Sequence, residues 1–336
     1  MKKEILVTGG AGFIGSHTCV ALSEAGYTPV IVDNLSNSQE SMIRGIEEII
    51  QNKIAFYPTD CCHIEPLEQI FKQHRFVGVI HFAAFKSVGE SVAAPQKYME
   101  NNMGSLRNIL ALMEENQTPN LVFSSSCTVY GEPDTNPVLE STSWKNAASP
   151  YGHTKQLGEI YIKERHQVQP IGHVILRYFN PIGAHPSGRI GELPIGVPNN
   201  LVPVMIKKIA QRQPLQVFGN DYPTPDGSCI RDYIHVMDLA EAHVKSLQWL
   251  EKNPKQSEVF NVGQGKGNSV LEVINQFQIV NDIPVPYEIS PRRDGDIAQI
   301  FADPIKAEKL LGWKTKRTTS EALRDAWKFH LLNNPS

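Results

Sequence analysis

The sequence predicts an α/β protein with a doubly wound parallel sheet and a smaller C-terminal α+β domain. Short β-branched runs alternate with amphipathic helical stretches in the first half, which is typical of a parallel sheet covered by helices. A glycine-rich turn joins the first of these strands to the first helix. After Asn180 the chain becomes rich in proline and glycine. With 336 residues, the chain exceeds the usual size of one core, so we expect domains at 1–180 and 181–336.

The elements of the first domain follow from period-2 and period-3.6 apolar patterns. The expected strands are Ile5–Thr8, Val30–Val32, Ile54–Tyr57, Val77–His81, Leu121–Ser124 and His173–Arg177. The expected helices are Ile14–Ala25, Gln39–Gln51, Glu65–His74, Pro95–Glu115 and Tyr151–Arg165. Their alternation gives the doubly wound arrangement.

The second domain mixes shorter elements, and we interpret the passage from Pro181 to Asn200 as loop. Its expected strands are Leu215–Phe218, Tyr233–Val236, Val259–Val262 and Val285–Ile289. Its expected helices are Val202–Gln211, Asp238–Leu250, Val270–Gln278 and Thr319–Leu331. Segments around 232–262 are expected to pack back on the first domain.

The glycine-rich turn carries Gly9, Gly12 and Gly15 at three-residue spacing between a strand and a helix. Gly9 can take a positive φ, Gly12 lets a ligand approach the backbone, and Gly15 lets the helix lie close to the strand. The first amides of the helix then face an anion. This pattern predicts a Rossmann fold that binds the pyrophosphate of a dinucleotide.

Asp33 ends the second strand about 20 residues after the glycines, where a carboxylate binds the adenosine ribose hydroxyls. Its charge would repel a 2′-phosphate, so the cofactor expected is NAD rather than NADP. Asn34, Asn37 and Ser38 supply further polar groups on the same loop. The alternative is that Asp33 caps the following helix.

Candidate catalytic groups lie at the carboxyl end of a strand, where reacting groups gather in open α/β sheets. Ser124, Ser125 and Ser126 end one strand, and Tyr151 and Lys155 stand four residues apart on the next long helix. Residues at this spacing share a helix face. We therefore expect the Lys155 ammonium to lower the pKa of the Tyr151 phenol and make it a base near neutral pH.

Charge and cysteine usage exclude several classes of protein. A net charge of −3 argues against a broadly basic surface for nucleic acid or an anionic membrane. No apolar run is long enough to span a bilayer, and Met1–Glu4 lead directly into the first strand, so we expect a cytoplasmic protein. The five cysteines form no C-x-x-C pair, which favours free thiols over disulfides or a zinc site.

Taken together, the motifs resemble those of the extended short-chain dehydrogenase/reductase family, and among its members the sugar-nucleotide 4-epimerases. The motifs are Gly9-x-x-Gly12-x-x-Gly15, Phe123–Ser126, Tyr151-x-x-x-Lys155, Leu176–Pro181, Gly196–Leu201, Phe218–Thr224, Arg231–His235 and Pro291–Asp296. They span nearly the whole chain in order. The resemblance implies interconversion of UDP-galactose and UDP-glucose by transient oxidation at C4 of the sugar. Tyr151 would be the base and Ser126 would bind the same oxygen.

The resemblance also implies the binding residues. The NAD site would contain Gly9, Gly12, Phe13, Ile14, Gly15, Asp33, Asn34, Asn37, Ser38, Asp60, Cys61, Phe82, Ala83, Ala84, Lys86, Asn101, Ser124, Tyr151, Lys155 and Tyr178. The UDP-sugar site would contain Lys86, Ser126, Tyr151, Tyr178, Phe179, Asn180, Asn200, Leu201, Gln216, Phe218, Arg231, Tyr233, Arg293 and Asp296. Arg231 and Arg293 would supply local positive charge for the diphosphate. Family likeness further suggests a homodimer joined through Pro95–Glu115 and Tyr151–Arg165.

Three alternatives stay open at this stage. Ile300 stands where many members of the family carry a tyrosine beside the sugar, and this smaller side chain would admit UDP-N-acetylhexosamines. A 4,6-dehydratase is disfavoured, because Cys127, Thr128 and Val129 after Ser126 are not acidic. A non-catalytic nucleotide sensor would have no use for the Ser126, Tyr151 and Lys155 combination.

Overall fold

The computed structural model describes residues 2–196, 198–293 and 295–334, so Val197 and Asp294 of two motifs, and Met1, Pro335 and Ser336, lie outside the described residues. The strands are β1 (Glu4–Thr8), β2 (Thr28–Val32), β3 (Ala55–Tyr57), β4 (Phe76–His81), β5 (Asn120–Ser126), β6 (Gly172–Tyr178), β7 (Asn180–Ile182), β8 (Leu215–Phe218), β9 (Ile230–Arg231), β10 (Tyr233–His235), β11 (Ser257–Val262), β12 (Asn268–Ser269), β13 (Tyr287–Ser290) and β14 (Gln299–Ile300). The helices are α1 (Phe13–Glu24), α2 (Glu40–Ile50), α3 (Ile64–Gln73), α4 (Val88–Ala93), α5 (Pro95–Glu115), α6 (Pro150–Val168), α7 (Leu201–Ala210), α8 (Val236–Lys252), α9 (Val270–Asn281), α10 (Ile305–Leu311) and α11 (Thr319–Asn333).

The expected doubly wound parallel sheet is confirmed. In the described part of the chain it has seven strands in the order β11-β6-β5-β4-β1-β2-β3, and each neighbouring pair is parallel. The order reverses between β1 and β4. Ligands of such sheets bind at this reversal, beyond the carboxyl ends of the strands.

Two apolar layers cover the sheet. One layer joins buried side chains of α1, α2 and α8 to one face, including Val20, Ile46 and Leu247. The other joins α3, α5 and α6 to the opposite face, including Leu67 and Ile109. Because both faces are covered, the strands themselves are buried almost continuously.

The second half of the chain contributes to both parts of the molecule. α8 packs against α1, and β11 pairs with β6 at the edge of the large sheet. A separate apolar cluster forms around α7, α9 and α11, with Met205, Phe277 and Leu323 among its buried members. Among the described residues, no helix combines the length and apolar character needed to cross a bilayer.

Several sequence expectations needed correction. The expected strand Val285–Ile289 begins two residues later, because Val285 is buried in the apolar cluster around α7, α9 and α11 and Pro286 has no N–H to donate. Pro181 and Ile182, expected as loop, belong to β7, which pairs with β10. The short helices α4 and α10 were not expected.

Candidate active site

The glycine turn after β1 allows neighbouring backbone atoms to approach it closely. Gly9 has φ of +70°, and a Cβ there would lie 2.9 Å from the backbone nitrogen of Ala83 beyond β4. A Cβ on Gly15 would lie 2.2 Å from the Gly9 carbonyl oxygen. Gly12 precedes α1, and the first turn of that helix has neither a side-chain cap nor an acidic residue. The amides at the start of α1, which Phe13 and Ile14 open, therefore suit an anionic ligand.

Asp33 fixes this turn to the end of β2. Its Oδ2 accepts a hydrogen bond from the Ala11 amide at 3.0 Å, and its Oδ1 accepts from the Ser38 hydroxyl at 2.7 Å and from the Leu35 amide at 2.9 Å. α2 begins at Glu40 after Gln39, so Asp33 does not cap that helix. A buried carboxylate beside the glycine turn is the arrangement a dinucleotide ribose requires.

The other expected cofactor residues approach the same edge, with two exceptions. Asn34 donates to Asp60 Oδ2 at 2.9 Å, and Asn37 is exposed on the same loop. Asn101 lies on α5, and its carbonyl oxygen is 3.5 Å from the Cys62 sulfur. The Cys61 side chain is instead 5% exposed and belongs to an apolar cluster, and its carbonyl accepts from Asn108 Nδ2 at 3.0 Å.

Loop residues Phe82, Ala83, Ala84 and Lys86 follow β4 at the strand reversal. Phe82 and Ala83 are part-buried beside Gly9. Lys86 is the second exception: its ammonium lies 3.2 Å from Glu192 Oε1, and the same oxygen accepts from Asn200 Nδ2 at 3.0 Å. Glu192 thus occupies two groups that we expected to bind ligand.

The three candidate catalytic residues meet where β5 ends and α6 begins. Ser149 caps α6 by accepting from the Gly152 amide, and Pro150 opens the helix. One turn on, the Lys155 ammonium donates to the Ser124 carbonyl at 2.6 Å and lies 5.8 Å from the centroid of the Tyr151 ring. The Ser126 hydroxyl accepts from the Thr128 amide at 3.2 Å.

The expected electrostatic effect of Lys155 on Tyr151 is absent in this structure. Burial raises the pKa of Tyr151 to about 12, and the Ser126 hydroxyl opposes that rise. Burial also lowers the pKa of Lys155 to about 8, against the opposing charge of Glu159. The expectation was wrong for this state because the ammonium points to the Ser124 carbonyl rather than to the phenol oxygen.

Tyr178 and Asn180 extend the site along β6 and β7. Ser126 and Tyr178 are register partners on β5 and β6. The Tyr178 hydroxyl lies 2.5 Å from His243 Nε2, and His243 Nδ1 donates to the Leu239 carbonyl, so Nε2 accepts a hydrogen bond from the tyrosine hydroxyl. Asn180 Oδ1 is buried and has no hydrogen-bond partner among the residues that the structure describes, as expected of a group that binds a ligand.

The expected diphosphate residues form a charged cluster in the second half of the chain. Arg231 is anchored by the carbonyls of Ile230 and Ile297, and its guanidinium is 3.9 Å from Asp296. Arg293 donates to the same carboxylate at 3.0 Å and stacks over Phe218 at 5.1 Å. One carboxylate therefore holds both arginines.

The remaining expected residues lie around this cluster without direct bonds to it. Leu201 begins α7, Gln216 donates to Glu288 at 3.2 Å, and Tyr233 is buried on β10. Phe179 and Ile300 share a small apolar cluster with Tyr130 and Val138. Ile300 is only 3% exposed and packs within this cluster.

Sequence reasoning missed several polar residues that support the site. Asp232 is fully buried, and its carboxylate accepts three backbone amides, those of Gln264, Gly265 and Ala302. Glu159 and Arg177 form a buried pair behind Lys155. A lone Asp, Glu or Arg does not by itself predict a role in the site. Glu159, however, stands four residues after Lys155, a spacing that places it on the same helix face.

Comparisons with known proteins agree with this geometry. The model of the NAD dependent epimerase/dehydratase family matches residues 5–263. UDP-glucose 4-epimerase of Bacillus subtilis is 47% identical, over 98% of this chain and 97% of its own. The crystal structure of UDP-glucose-4-epimerase from Stenotrophomonas maltophila with bound NAD and formylated UDP-arabinopyranose has a TM-score of 0.96 at 44% identity and covers 98% of both chains.

A second solved structure is equally close in fold. UDP-glucose 4-epimerase from Bifidobacterium longum, in complex with NAD+ and UDP, has a TM-score of 0.95 at 42% identity and covers 99% of both chains. The family model matches well over half of this chain, and the relatives extend the similarity to nearly all of it. This chain belongs to the NAD dependent epimerase/dehydratase family.

Proposed function

We propose that this protein interconverts UDP-galactose and UDP-glucose and keeps NAD as a resident cofactor. The observation that carries the proposal is the meeting of Ser126, Tyr151 and Lys155 at the carboxyl end of β5, on the same edge of the sheet as the glycine turn after β1. The relatives named UDP-glucose 4-epimerase, two of them solved with NAD, support the same activity. The alternative, a UDP-N-acetylhexosamine epimerase, is not favoured, since relatives of this chain at high identity are named UDP-glucose 4-epimerase.

The cofactor would be held mainly by the first domain. Gly9, Gly12 and Gly15 leave room for a pyrophosphate, and Asp33 offers its carboxylate to the adenosine ribose. Asp60, Phe82, Ala83, Asn101 and Tyr178 would complete the site. When bound, NAD supplies the acceptor and donor of the hydride at C4 of the sugar.

The chain's own residues would handle the proton. The Tyr151 phenol oxygen would take the proton of the sugar 4-hydroxyl and return it after the sugar has turned. Ser126 would hydrogen-bond the same sugar oxygen and keep it near the phenol. Lys155 would stabilise the phenolate through its positive charge once ligands occupy the site.

The second domain would hold the nucleotide. Arg231 and Arg293 offer guanidinium groups to the diphosphate of UDP in a protein whose net charge is −3. Asn180, Asn200 and Phe218 would contact the rest of the substrate. We place the boundary at residue 180, with α8 and β11 returning to the first domain.

We also propose a cytoplasmic homodimer joined through α5 and α6. The dimer is supported by the apolar Ile160 side chain, which is 42% exposed on α6. The cytoplasmic location is supported by the five cysteines, which are free. Light scattering checks the dimer, which should have twice the mass of the 37.5 kDa chain.

Purified protein incubated with UDP-galactose and no added cofactor tests the function. We expect UDP-glucose to form without accumulation of free NADH. A requirement for stoichiometric external NAD would indicate an ordinary dehydrogenase instead. UDP-N-acetylglucosamine serves as the comparison substrate and should turn over far more slowly.

A further inference from the structure

A buried ion pair lies directly behind the candidate catalytic residues. The side chains of Arg177 and Glu159 are 3% and 0% exposed. Arg177 Nε donates to Glu159 Oε1 at 2.9 Å, and its Nη2 donates to Oε2 at 2.7 Å. Burying two charges is costly unless they are well paired, and this bidentate geometry provides that pairing.

The Glu159 carboxylate also joins three elements of the fold. It lies on α6, and its Oε1 accepts the Ser125 hydroxyl of β5 at 2.6 Å. Ser125 and Arg177 are register partners on β5 and β6. One carboxylate therefore binds both members of a cross-strand pair.

Lys155 makes a parallel contact one helical turn earlier. Its ammonium donates to the carbonyl of Ser124, the residue before Ser125. Successive turns of α6 are thus bonded to successive residues of β5, and Ser126 is the next residue of that strand. The height of α6 over the strand end fixes where Tyr151 stands relative to Ser126.

We propose that Glu159 and Arg177 are positioning residues for the epimerase reaction, holding α6 on β5 and β6 and placing a carboxylate one turn of α6 away from Lys155. This inference rests on the proposed function. Both side chains are buried, and they act through Ser125 and Lys155.

The electrostatic part of the proposal concerns a small set of groups. Lys155 faces Tyr151 and Glu159 on its own helix and His81 on β4. Glu159 faces Arg177 on β6, and Lys163 of its own helix lies 3.9 Å away. Burial lowers the pKa of Lys155, and the Glu159 charge opposes this shift. Removing that charge lowers the lysine pKa further.

This charge predicts a particular change in the pH profile. The reactive form carries a Tyr151 phenolate and a Lys155 ammonium, one proton fewer than the fully protonated pair. Without the Glu159 charge, the first proton leaves Lys155 at lower pH. The pH range over which kcat rises, the rising limb, then moves to lower pH. The maximal kcat above that range, the plateau, falls by the factor by which the acid dissociation constant of Lys155 has increased. A purely structural defect lowers kcat equally at every pH.

Three variants of the NAD-bound protein test the proposal. Glu159→Gln removes the carboxylate charge at similar volume, leaves the Arg177 charge in place, and keeps a side-chain oxygen that can accept from Ser125. Ser125→Ala removes one bond of the junction. Lys163→Met is the control, because it alters an exposed charge near the same carboxylate.

We expect Glu159→Gln to shift the rising limb by about one pH unit and to lower the plateau about tenfold. Ser125→Ala should lower kcat by about tenfold through misplacement alone, with KM unchanged. Lys163→Met should match the wild type. A folded Glu159→Gln protein with an unshifted limb overturns the proposal. If Glu159→Gln does not fold, a wild-type kcat in Ser125→Ala overturns it.

The two proposals fail in different ways. Wild-type protein that never forms UDP-glucose contradicts the proposed function itself. Active wild-type protein with an unshifted limb in Glu159→Gln contradicts only the role of the Glu159–Arg177 pair.

Discussion

The two ends of the candidate site are built differently. At the reacting end, Lys155 is 5% exposed and Ser126 is 9% exposed, and both are bonded to neighbouring protein groups. At the nucleotide end, the Arg293 side chain is 54% exposed and paired with Asp296, a carboxylate of the chain itself.

This difference separates groups that stabilise the transition state from groups that bind the nucleotide. Buried, bonded groups are already oriented before substrate arrives, so they can act on the transition state. Exposed ion pairs such as Arg293 with Asp296 are weak in water and can be exchanged for a diphosphate. Changes at the reacting end should therefore affect kcat, and changes at the nucleotide end should affect KM.

Tyr151→Phe should have the largest effect on the reacting end. Loss of the phenol removes the proton acceptor, so kcat should fall about a thousandfold, within the usual range for general acid–base catalysis. KM for UDP-galactose and bound NAD should stay near wild-type values. Tyr161→Phe, on the same helix, is the control. Undiminished kcat in Tyr151→Phe would remove the base from the account.

Gly15→Ala should disrupt the turn that we propose binds NAD. A Cβ at this position would lie 2.2 Å from the Gly9 carbonyl, so the turn must shift away from α1. We expect protein purified without bound NAD and lacking activity. Gly104→Ala is a matched helical control, since its Cβ would lie 3.7 Å from the Cys62 sulfur. Retention of NAD by Gly15→Ala would show that close packing here is dispensable.

Arg293→Ala should affect the nucleotide end alone. Losing one charge-assisted bond to the diphosphate should raise KM for UDP-galactose about tenfold or more and leave kcat nearly unchanged. The neighbouring Arg292 pairs with Asp221, so Arg292→Ala is the control. Initial rates over a range of UDP-galactose concentrations distinguish the two. A fall in kcat with unchanged KM would contradict the division of the site.

Three buried histidines should also make the free energy of unfolding depend on pH. Burial lowers the pKa of His17, His81 and His243 to about 3, so these rings are neutral when folded. Unfolded histidines bind protons below about pH 6.5. Stability present above that pH is lost as pH falls, by about 1.4 kcal/mol per histidine per unit.

Asp232 has the opposite effect on stability below about pH 6. Burial raises its pKa to about 6, so its protonation as pH falls from 6 towards 4 favours the folded state. Urea unfolding at pH 7.5, 6.5 and 5.5 measures the sum, and we expect a net fall. Equal free energies of unfolding at the three pH values would contradict the neutral, buried histidines.

Local sequence patterns predicted much of the fold. The spacing of Gly9, Gly12 and Gly15 gave the turn between β1 and α1, and Tyr151 and Lys155 were placed on one helix. These features depend on residues close together in the chain. The strand near Val285 was misplaced because Pro286 lacks an N–H, a detail that apolar periodicity does not weigh.

Contacts between distant residues could not be predicted in the same way. Ser125 and Arg177 reach one carboxylate only because strands β5 and β6 pair in a particular register. Glu192 binds Lys86 across 106 residues of sequence. The effect of Lys155 on Tyr151 was also misjudged, because helix spacing gives proximity but not the direction in which an ammonium points.

Isotope transfer tests the central claim most directly. UDP-galactose carrying deuterium at C4 should give UDP-glucose that retains the deuterium at C4, because a resident cofactor takes the hydride and returns it within one site. The retained label can be read by mass spectrometry without added NAD. Loss of the deuterium to solvent or to an external cofactor would contradict the account.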